Sequence, residues 1–92
     1  MKILIADELH ESAQKTLELI GHEVIVKPKC TSADLHEHLQ GVEALVVRST
    51  RVLEKNLQAA DTLEVIIRAG AGVDTIDVEA ASNQGIYVCN VP

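Results

Sequence analysis

The sequence predicts a three-layer α/β fold: a flavodoxin-like parallel sheet of strand order 2-1-3-4-5 with helices on both faces. Five short apolar segments that suit strands alternate with four segments that suit helices. The strand segments are apolar at successive positions, which is typical of strands buried on both faces. The connections are short, which favours right-handed crossovers between parallel strands. The 92 residues hold one domain, with no internal repeat, linker or low-complexity segment.

The first strand is predicted at residues 2–6, an apolar run that Asp7 closes. A helix follows over residues 8–20, because apolar side chains recur there at spacings of three and four. Gly21 stands where a glycine commonly ends such a helix.

The second strand is predicted at residues 23–26, and Pro28 prevents it from extending further. Thr31 and Asp34 then form a Thr-x-x-Asp pattern that resembles a helix-capping box. A short second helix is therefore predicted after Thr31, ending at Gly41.

The second half of the chain repeats this alternation. Strands are predicted at 43–47, 63–67 and 86–89, and helices at 53–60 and 77–84. A parallel sheet needs helices over both faces, and no helix follows the last strand. We therefore expect the chain to be part of a larger protein.

Composition narrows the possible functions. The net charge of −6 and the pI of about 5.0 disfavour nucleic acid and anionic membranes as partners. Tyr87 is the only aromatic residue, so the chain offers no stacking platform for bases or flavins. No signal peptide or long apolar run is present, which predicts a cytoplasmic protein with no membrane contact. Two cysteines beside apolar segments indicate small buried side chains in a reducing compartment.

The residues that follow the strands are the candidates for ligand binding, because ligands of open α/β sheets gather at the carboxyl ends of the strands. After the third strand comes Arg48-Ser49-Thr50-Arg51, whose guanidinium and hydroxyl groups suit a phosphate or carboxylate. After the fourth strand, Gly70 and Gly72 let backbone amides approach a ligand closely. The alternative is that both segments are solvated loops with incidental charge.

Several other sites are not supported. Thr75 stands where a dinucleotide-binding fingerprint needs its third glycine. Arg48 stands where a phosphorylatable receiver domain needs an aspartate, and a flavodoxin would need a hydroxyl-rich loop after the first strand. The four histidines are predicted to be exposed, and His36 and His38 point to different sides of a helix, so no metal site is expected. Without a convincing acid, base or nucleophile, the chain alone should bind and not catalyse.

Three segments resemble the NAD-dependent D-2-hydroxyacid dehydrogenases. They are Val-Val-Arg-Ser at 46–49, Leu-Glu-Val-Ile-Ile-Arg-Ala-Gly-Ala-Gly-Val-Asp-Thr-Ile-Asp at 63–77, and Gly-Ile-Tyr-Val-Cys-Asn-Val-Pro at 85–92. The resemblance extends over essentially the whole chain. It implies that residues 1–92 are the N-terminal part of a substrate-binding domain and that an NAD-binding Rossmann domain follows downstream.

The resemblance also implies roles for the loop after the third strand. Arg48 and Ser49 correspond to residues that meet the phosphate end of a substrate, with Thr50 or Arg51 as helpers. The pair favours phosphoglycerate over an uncharged hydroxy acid. Enzymes of the family that use glycerate, glyoxylate or lactate remain an alternative, as does a free-standing anion-binding module without catalysis.

The glycine-rich segment takes further roles from the same resemblance. Gly72 and Val73 correspond to backbone N–H donors for the substrate carboxylate, Arg68 supports their loop, and Asn90 is a further contact at the domain junction. Ala71 stands where relatives often carry a threonine that approaches the cofactor. The family's catalytic arginine, glutamate and histidine are expected downstream, and the full-length enzyme is expected to be a homo-oligomer.

Overall fold

The computed structural model describes residues 1–92 and contains one parallel sheet of five strands in the order β2-β1-β3-β4-β5. The strands are β1 (Lys2–Ile5), β2 (Glu23–Val26), β3 (Ala44–Val47), β4 (Val65–Ala69) and β5 (Tyr87–Val91). The helices are α1 (Glu11–Leu19), α2 (Glu54–Gln58) and α3 (Val78–Asn83), with a 3₁₀ helix at Leu35–His38. The predicted fold class and strand order are confirmed.

The second predicted helix is a single 3₁₀ turn. The Asp34 carboxylate accepts a hydrogen bond from the Thr31 amide at 2.8 Å, as the capping pattern predicted. Between that turn and Gly41, which has a φ of +72°, too few residues remain for an α-helix. The tighter 3₁₀ geometry nevertheless buries both Leu35 and Leu39 completely.

Strands β4 and β5 extend further than the sequence predicted. Their ladder pairs Arg68 with Asn90 and Ala69 with Val91, so both polar residues lie in strands and not in turns. A hydrogen bond of 2.8 Å from the Gly70 amide to the Val91 carbonyl closes the ladder. The strand ends therefore reach the glycine-rich segment directly.

The two faces of the sheet are covered unequally. On one face, α2, α3 and the 3₁₀ helix enclose a core cluster of 17 buried residues. On the other face, α1 packs over β1 and β2, and the smaller cluster has 3 buried residues. On this second face Tyr87 is 79% exposed and Val91 is 62% exposed. The expectation that every strand is buried on both faces is therefore wrong for β5, because α1 does not reach it.

The longest helix, α1, has nine residues, and no helix has the length and apolarity required to span a bilayer.

Candidate anion-binding site

The carboxyl ends of β3 and β4 are neighbours in the sheet, so the segments 48–51 and 70–74 lie side by side. An open groove of about 550 Å³ runs along this edge. Its lining residues are Glu8, Leu9, His10, Arg48, Ala69, Gly70, Val91 and Pro92. The topology therefore brings the two predicted loops together.

The Asp7 carboxylate organises the loop after β3. Its Oδ2 atom accepts hydrogen bonds from the amides of Arg48, Ser49 and Thr50 at 2.8, 2.6 and 2.8 Å. Partial burial raises the pKa of Asp7, but the three backbone N–H groups outweigh that effect and hold the pKa below its usual value. Asp7 follows β1 after one residue, beside β3. The sequence places Asp7 among the residues at the carboxyl ends of the strands, but it does not indicate that the carboxylate binds these three amides.

Because Asp7 occupies these three amides, an external anion at this loop must be bound by side chains. The Arg48 guanidinium is exposed and takes part in neither of the two ion pairs of the chain. The Thr50 hydroxyl donates to the carbonyls of Ala6 and Cys30, at 2.7 and 3.3 Å. Thr50 thus holds the loop in place. The guanidinium of Arg48 and the hydroxyl of Ser49 have no hydrogen-bond partner within the chain.

Arg68 links the two loops. Its Nε atom donates to the carbonyl of Arg48 at 2.9 Å. Its Nη1 atom donates to the carbonyls of Ala71 and Gly72, the latter at 3.3 Å. The guanidinium therefore fixes the spacing between the loops by binding protein carbonyl groups.

The glycine-rich loop leaves backbone donors free. None of the hydrogen bonds within the chain uses the amides of Gly72 or Val73 as donors. Gly72 has a φ of +79°, a conformation that side chains disfavour. The Asn90 side chain donates to the Gly70 carbonyl at 3.1 Å and so ties the start of the loop to β5. Two adjacent N–H groups are thus available to a carboxylate.

The same loop does not fit the pyrophosphate of a dinucleotide. At the start of α3, which has only six residues, the Asp77 carboxylate accepts the Ala80 amide at 3.0 Å. The carbonyl of Thr75 accepts from the Val52 amide at 3.0 Å, in an isolated bridge that separates the loop from the helix. Ala71 offers only a methyl group and its backbone. This loop therefore offers no pyrophosphate site.

The prediction that all four histidines are exposed is wrong for two of them. His22 is half-buried, and its Nδ1 atom is buried without a hydrogen-bond partner. His38 is half-buried, with Nε2 4.0 Å from the Asp34 carboxylate. His10 is exposed and caps α1 by accepting the Ser12 amide at 3.2 Å. His22 lies in the turn between α1 and β2, and His38 ends the 3₁₀ helix beside Asp34, so neither imidazole is fully exposed.

Asp7→Asn is expected to destabilise the fold by about 1–2 kcal/mol near neutral pH, because the loop amides lose a charged acceptor. The pKa of Asp7 is lowered on folding, so its contribution is present above its unfolded pKa of about 3.9 and is lost as the pH falls through the folded value. Urea unfolding at pH 7 and at pH 3 measures the free energy of unfolding of the wild type and of Asp7→Asn.

The stability difference between wild type and Asp7→Asn should therefore shrink as the pH falls. Asp61→Asn, at an exposed carboxylate with no hydrogen bond, is the matched control and should change little. A stability difference that is the same at both pH values would contradict the assigned role of the Asp7 charge.

The fold and this edge define an α/β ligand-binding domain with two neighbouring groups of anion donors. The family model described as "D-isomer specific 2-hydroxyacid dehydrogenase, catalytic domain" matches residues 3–92. The chain belongs to the D-isomer specific 2-hydroxyacid dehydrogenase family, which confirms the resemblance seen in the sequence.

Individual relatives carry a more specific name. The D-3-phosphoglycerate dehydrogenase of Methanocaldococcus jannaschii is 50% identical over 93 residues, which cover 100% of this chain and 18% of that protein. The human D-3-phosphoglycerate dehydrogenase is 42% identical over 92 residues, which cover 99% of this chain and 17% of that protein.

Among solved structures, the NAD⁺-bound 3-phosphoglycerate dehydrogenase of Entamoeba histolytica superimposes with a TM-score of 0.85 at 37% identity. The match covers 100% of this chain and 33% of that one. This chain therefore spans about a sixth of the length of these two curated relatives and a third of that solved structure.

Proposed function

We propose that the chain is the N-terminal segment of the substrate-binding domain of an NAD-dependent D-3-phosphoglycerate dehydrogenase. The reaction is the oxidation of 3-phosphoglycerate to 3-phosphohydroxypyruvate, in the biosynthesis of L-serine. The observation that carries this proposal is the presence of free anion donors on two adjacent loops that one guanidinium, that of Arg68, holds together. The identity to relatives of that name over the whole chain supports it.

The substrate has an anionic group at each end, and the two loops can hold one each. Arg48 and Ser49 bind the phosphate, because their side chains are exposed and have no partner within the chain. The amides of Gly72 and Val73 bind the carboxylate at the other end. With both ends held, the carbon that bears the hydroxyl group is oriented between them.

Arg68, Thr50 and Asn90 act by positioning these donors. Each uses its side chain on carbonyl groups of the protein, so none of them has to reach the substrate directly. Asp7 belongs to the same group, because it fixes the backbone from which Arg48 and Ser49 project.

NAD is the hydride acceptor of the proposed reaction, and we assign its binding and the catalytic acid–base groups to a Rossmann domain downstream of residue 92. The absence of a pyrophosphate site among residues 70–80 supports that assignment. The 92-residue chain by itself is then inactive. We place the intact enzyme in the cytoplasm as a homo-oligomer.

The test is NAD reduction by the intact protein that contains this chain, with 3-phosphoglycerate and with D-glycerate as substrates. A charge-assisted phosphate contact of about 1.5–3 kcal/mol predicts a kcat/KM roughly ten to a hundred times higher for the phosphorylated substrate. Equal values would assign the chain to another enzyme of the family. No NAD reduction with either substrate or with D-lactate, together with no NADH oxidation by glyoxylate, would indicate a non-catalytic module.

A further inference from the structure

Three side chains of different chemistry converge beside the 3₁₀ helix, outside the groove that Arg48 lines. Cys30 precedes the turn that leads into the helix, Asp34 lies directly before it, and His38 ends it. The Cys30 Sγ atom lies 3.5 Å from Asp34 Oδ1, and His38 Nε2 lies 4.0 Å from Asp34 Oδ2. One ligand atom from each residue lies within 4.8 Å of the other two.

The protein already positions two of these three residues. The Asp34 carboxylate accepts from the Thr31 amide at 2.8 Å, so its direction is fixed. Cys30 is 7% exposed, and its thiol donates to the Asp34 carboxylate at 3.5 Å. Two of the three side chains are thus held together by contacts that do not depend on any ligand.

The cluster is open to solvent on the side of His38. The His38 side chain is 29% exposed, and the cleft of about 270 Å³ in which the three groups meet opens to solvent. Lys27 and Lys29 also line this cleft. Because both lysines are exposed, water screens their repulsion of a cation. The cleft has room for a water molecule as a fourth ligand.

We propose that Cys30, Asp34 and His38 bind one divalent cation of the zinc class, with water completing a tetrahedral site. A thiolate with an imidazole and a carboxylate selects Zn²⁺ over Mg²⁺ or Ca²⁺, which prefer oxygen ligands alone. Zinc bonds of about 2.0–2.3 Å place tetrahedral ligand atoms about 3.3–3.8 Å apart. The observed separations therefore require an approach of about 1 Å at the widest pair.

Binding involves one covalent change. The Cys30 thiol, which now donates toward the Asp34 carboxylate, releases its proton to solvent as the sulfur–metal bond forms. The thiolate and the carboxylate together neutralise the two charges of the cation. No oxidant or reductant takes part.

The chain contains another histidine and a second cysteine, which serve as matched controls for His38 and Cys30. His36 lies two residues from His38 and is exposed, outside the cluster. Cys89, which the sequence predicted to be buried, is instead a free, exposed thiol on β5, because α1 does not cover that face of the strand; it also lies outside the cluster. Variants at these two positions remove the same chemical groups without touching the proposed site.

The experiment is a titration of the intact protein with Co²⁺, followed by displacement with Zn²⁺. We expect a tetrahedral cobalt spectrum with a thiolate charge-transfer band, saturating at one cation per chain. Cys30→Ser, Asp34→Asn and His38→Gln should each weaken Zn²⁺ binding at least about tenfold, by analogy with losses on altering metal-site residues. His36→Gln and Cys89→Ser should bind as the wild type does.

The proposal is overturned if no cobalt–thiolate band appears in the wild type, if the band persists in Cys30→Ser, or if His38→Gln binds the cation with wild-type affinity. It is also overturned if His36→Gln or Cys89→Ser abolishes the signal to the same extent. If Cys30→Ser fails to fold, His38→Gln tests the proposal, because the His38 side chain is partly exposed and makes no hydrogen bond to the backbone. The measurement needs neither substrate nor NAD, so its outcome is independent of the proposed dehydrogenase activity.

Discussion

Arg48→Ala in the intact enzyme is expected to weaken the binding of 3-phosphoglycerate by about 1.5–3 kcal/mol, the scale of a charge-assisted hydrogen bond. The Arg48 backbone is fixed by Asp7 and Arg68, while its guanidinium is exposed at the groove and has no ion-pair partner. Removing the side chain should therefore leave the loop in place and remove only the phosphate contact. The measurement is the KM for 3-phosphoglycerate beside the affinity for NAD, which should stay nearly unchanged.

Lys55→Ala is the matched control. Lys55 is an exposed cation on α2 that lines neither the groove of Arg48 nor that of Ser49. We expect its loss to raise the KM much less than the loss of Arg48. An unaltered KM in Arg48→Ala would remove Arg48 from the site, and equal effects of the two variants would indicate a general effect of surface charge.

Most of the fold could be predicted from the sequence because the strands are short apolar runs separated by turn residues. The carboxyl ends of β4 and β5 were the exception. Arg68 and Asn90 are polar and resemble loop residues, but the ladder pairs them across neighbouring strands. Strand pairing depends on the neighbouring strand as well as on local composition, so a local pattern places these boundaries too early.

The strand order predicts where the candidate site lies, but it does not predict the hydrogen bonds within the site. Strand order alone places the segments after β3 and β4 side by side. The acceptor that occupies the amides of the first loop is Asp7, a residue 41 positions from Arg48. Its effect depends on side-chain geometry at hydrogen-bond distance, which the sequence pattern does not specify. The one indication of this role in the sequence was that a carboxylate lies near the carboxyl end of β1, beside the loop that follows β3.

The Cys30, Asp34 and His38 cluster shows a similar limit. Its four-residue spacing is visible in the sequence and would place the three residues on one face of an α-helix, but Cys30 lies before the helical turn, so their approach depends on how residues 30–38 fold. The 3₁₀ geometry buries Leu35 and Leu39 and turns Asp34 and His38 toward the Cys30 thiol. In the sequence, His36 and His38 are two residues apart and point to different sides of a helix, so this pair does not indicate a metal site. The structure instead groups His38 with Cys30 and Asp34.

Gly72→Val is expected to reduce the affinity for the substrate carboxylate at least about tenfold, since one backbone hydrogen bond to a charged group contributes about 1.5–3 kcal/mol. Gly72 has a φ of +79°, and a Cβ atom there would lie 3.2 Å from Asp74 Oδ1. A β-branched residue would have to leave this conformation, which rotates the amides of residues 72 and 73 away from the ligand. The KM for 3-phosphoglycerate and for D-glycerate should therefore rise together, because both carry the carboxylate.

Gly85→Val separates this effect from backbone strain. Gly85 has a similar φ of +74°, but a Cβ atom there would meet nothing within 4 Å. Both variants should lose stability by about 1–2 kcal/mol, the cost of a side chain in the left-handed region. Only Gly72→Val should lose carboxylate affinity. Wild-type affinity in folded Gly72→Val would show that these amides are not the donors, and an equal loss in Gly85→Val would trace the effect to strain in the fold.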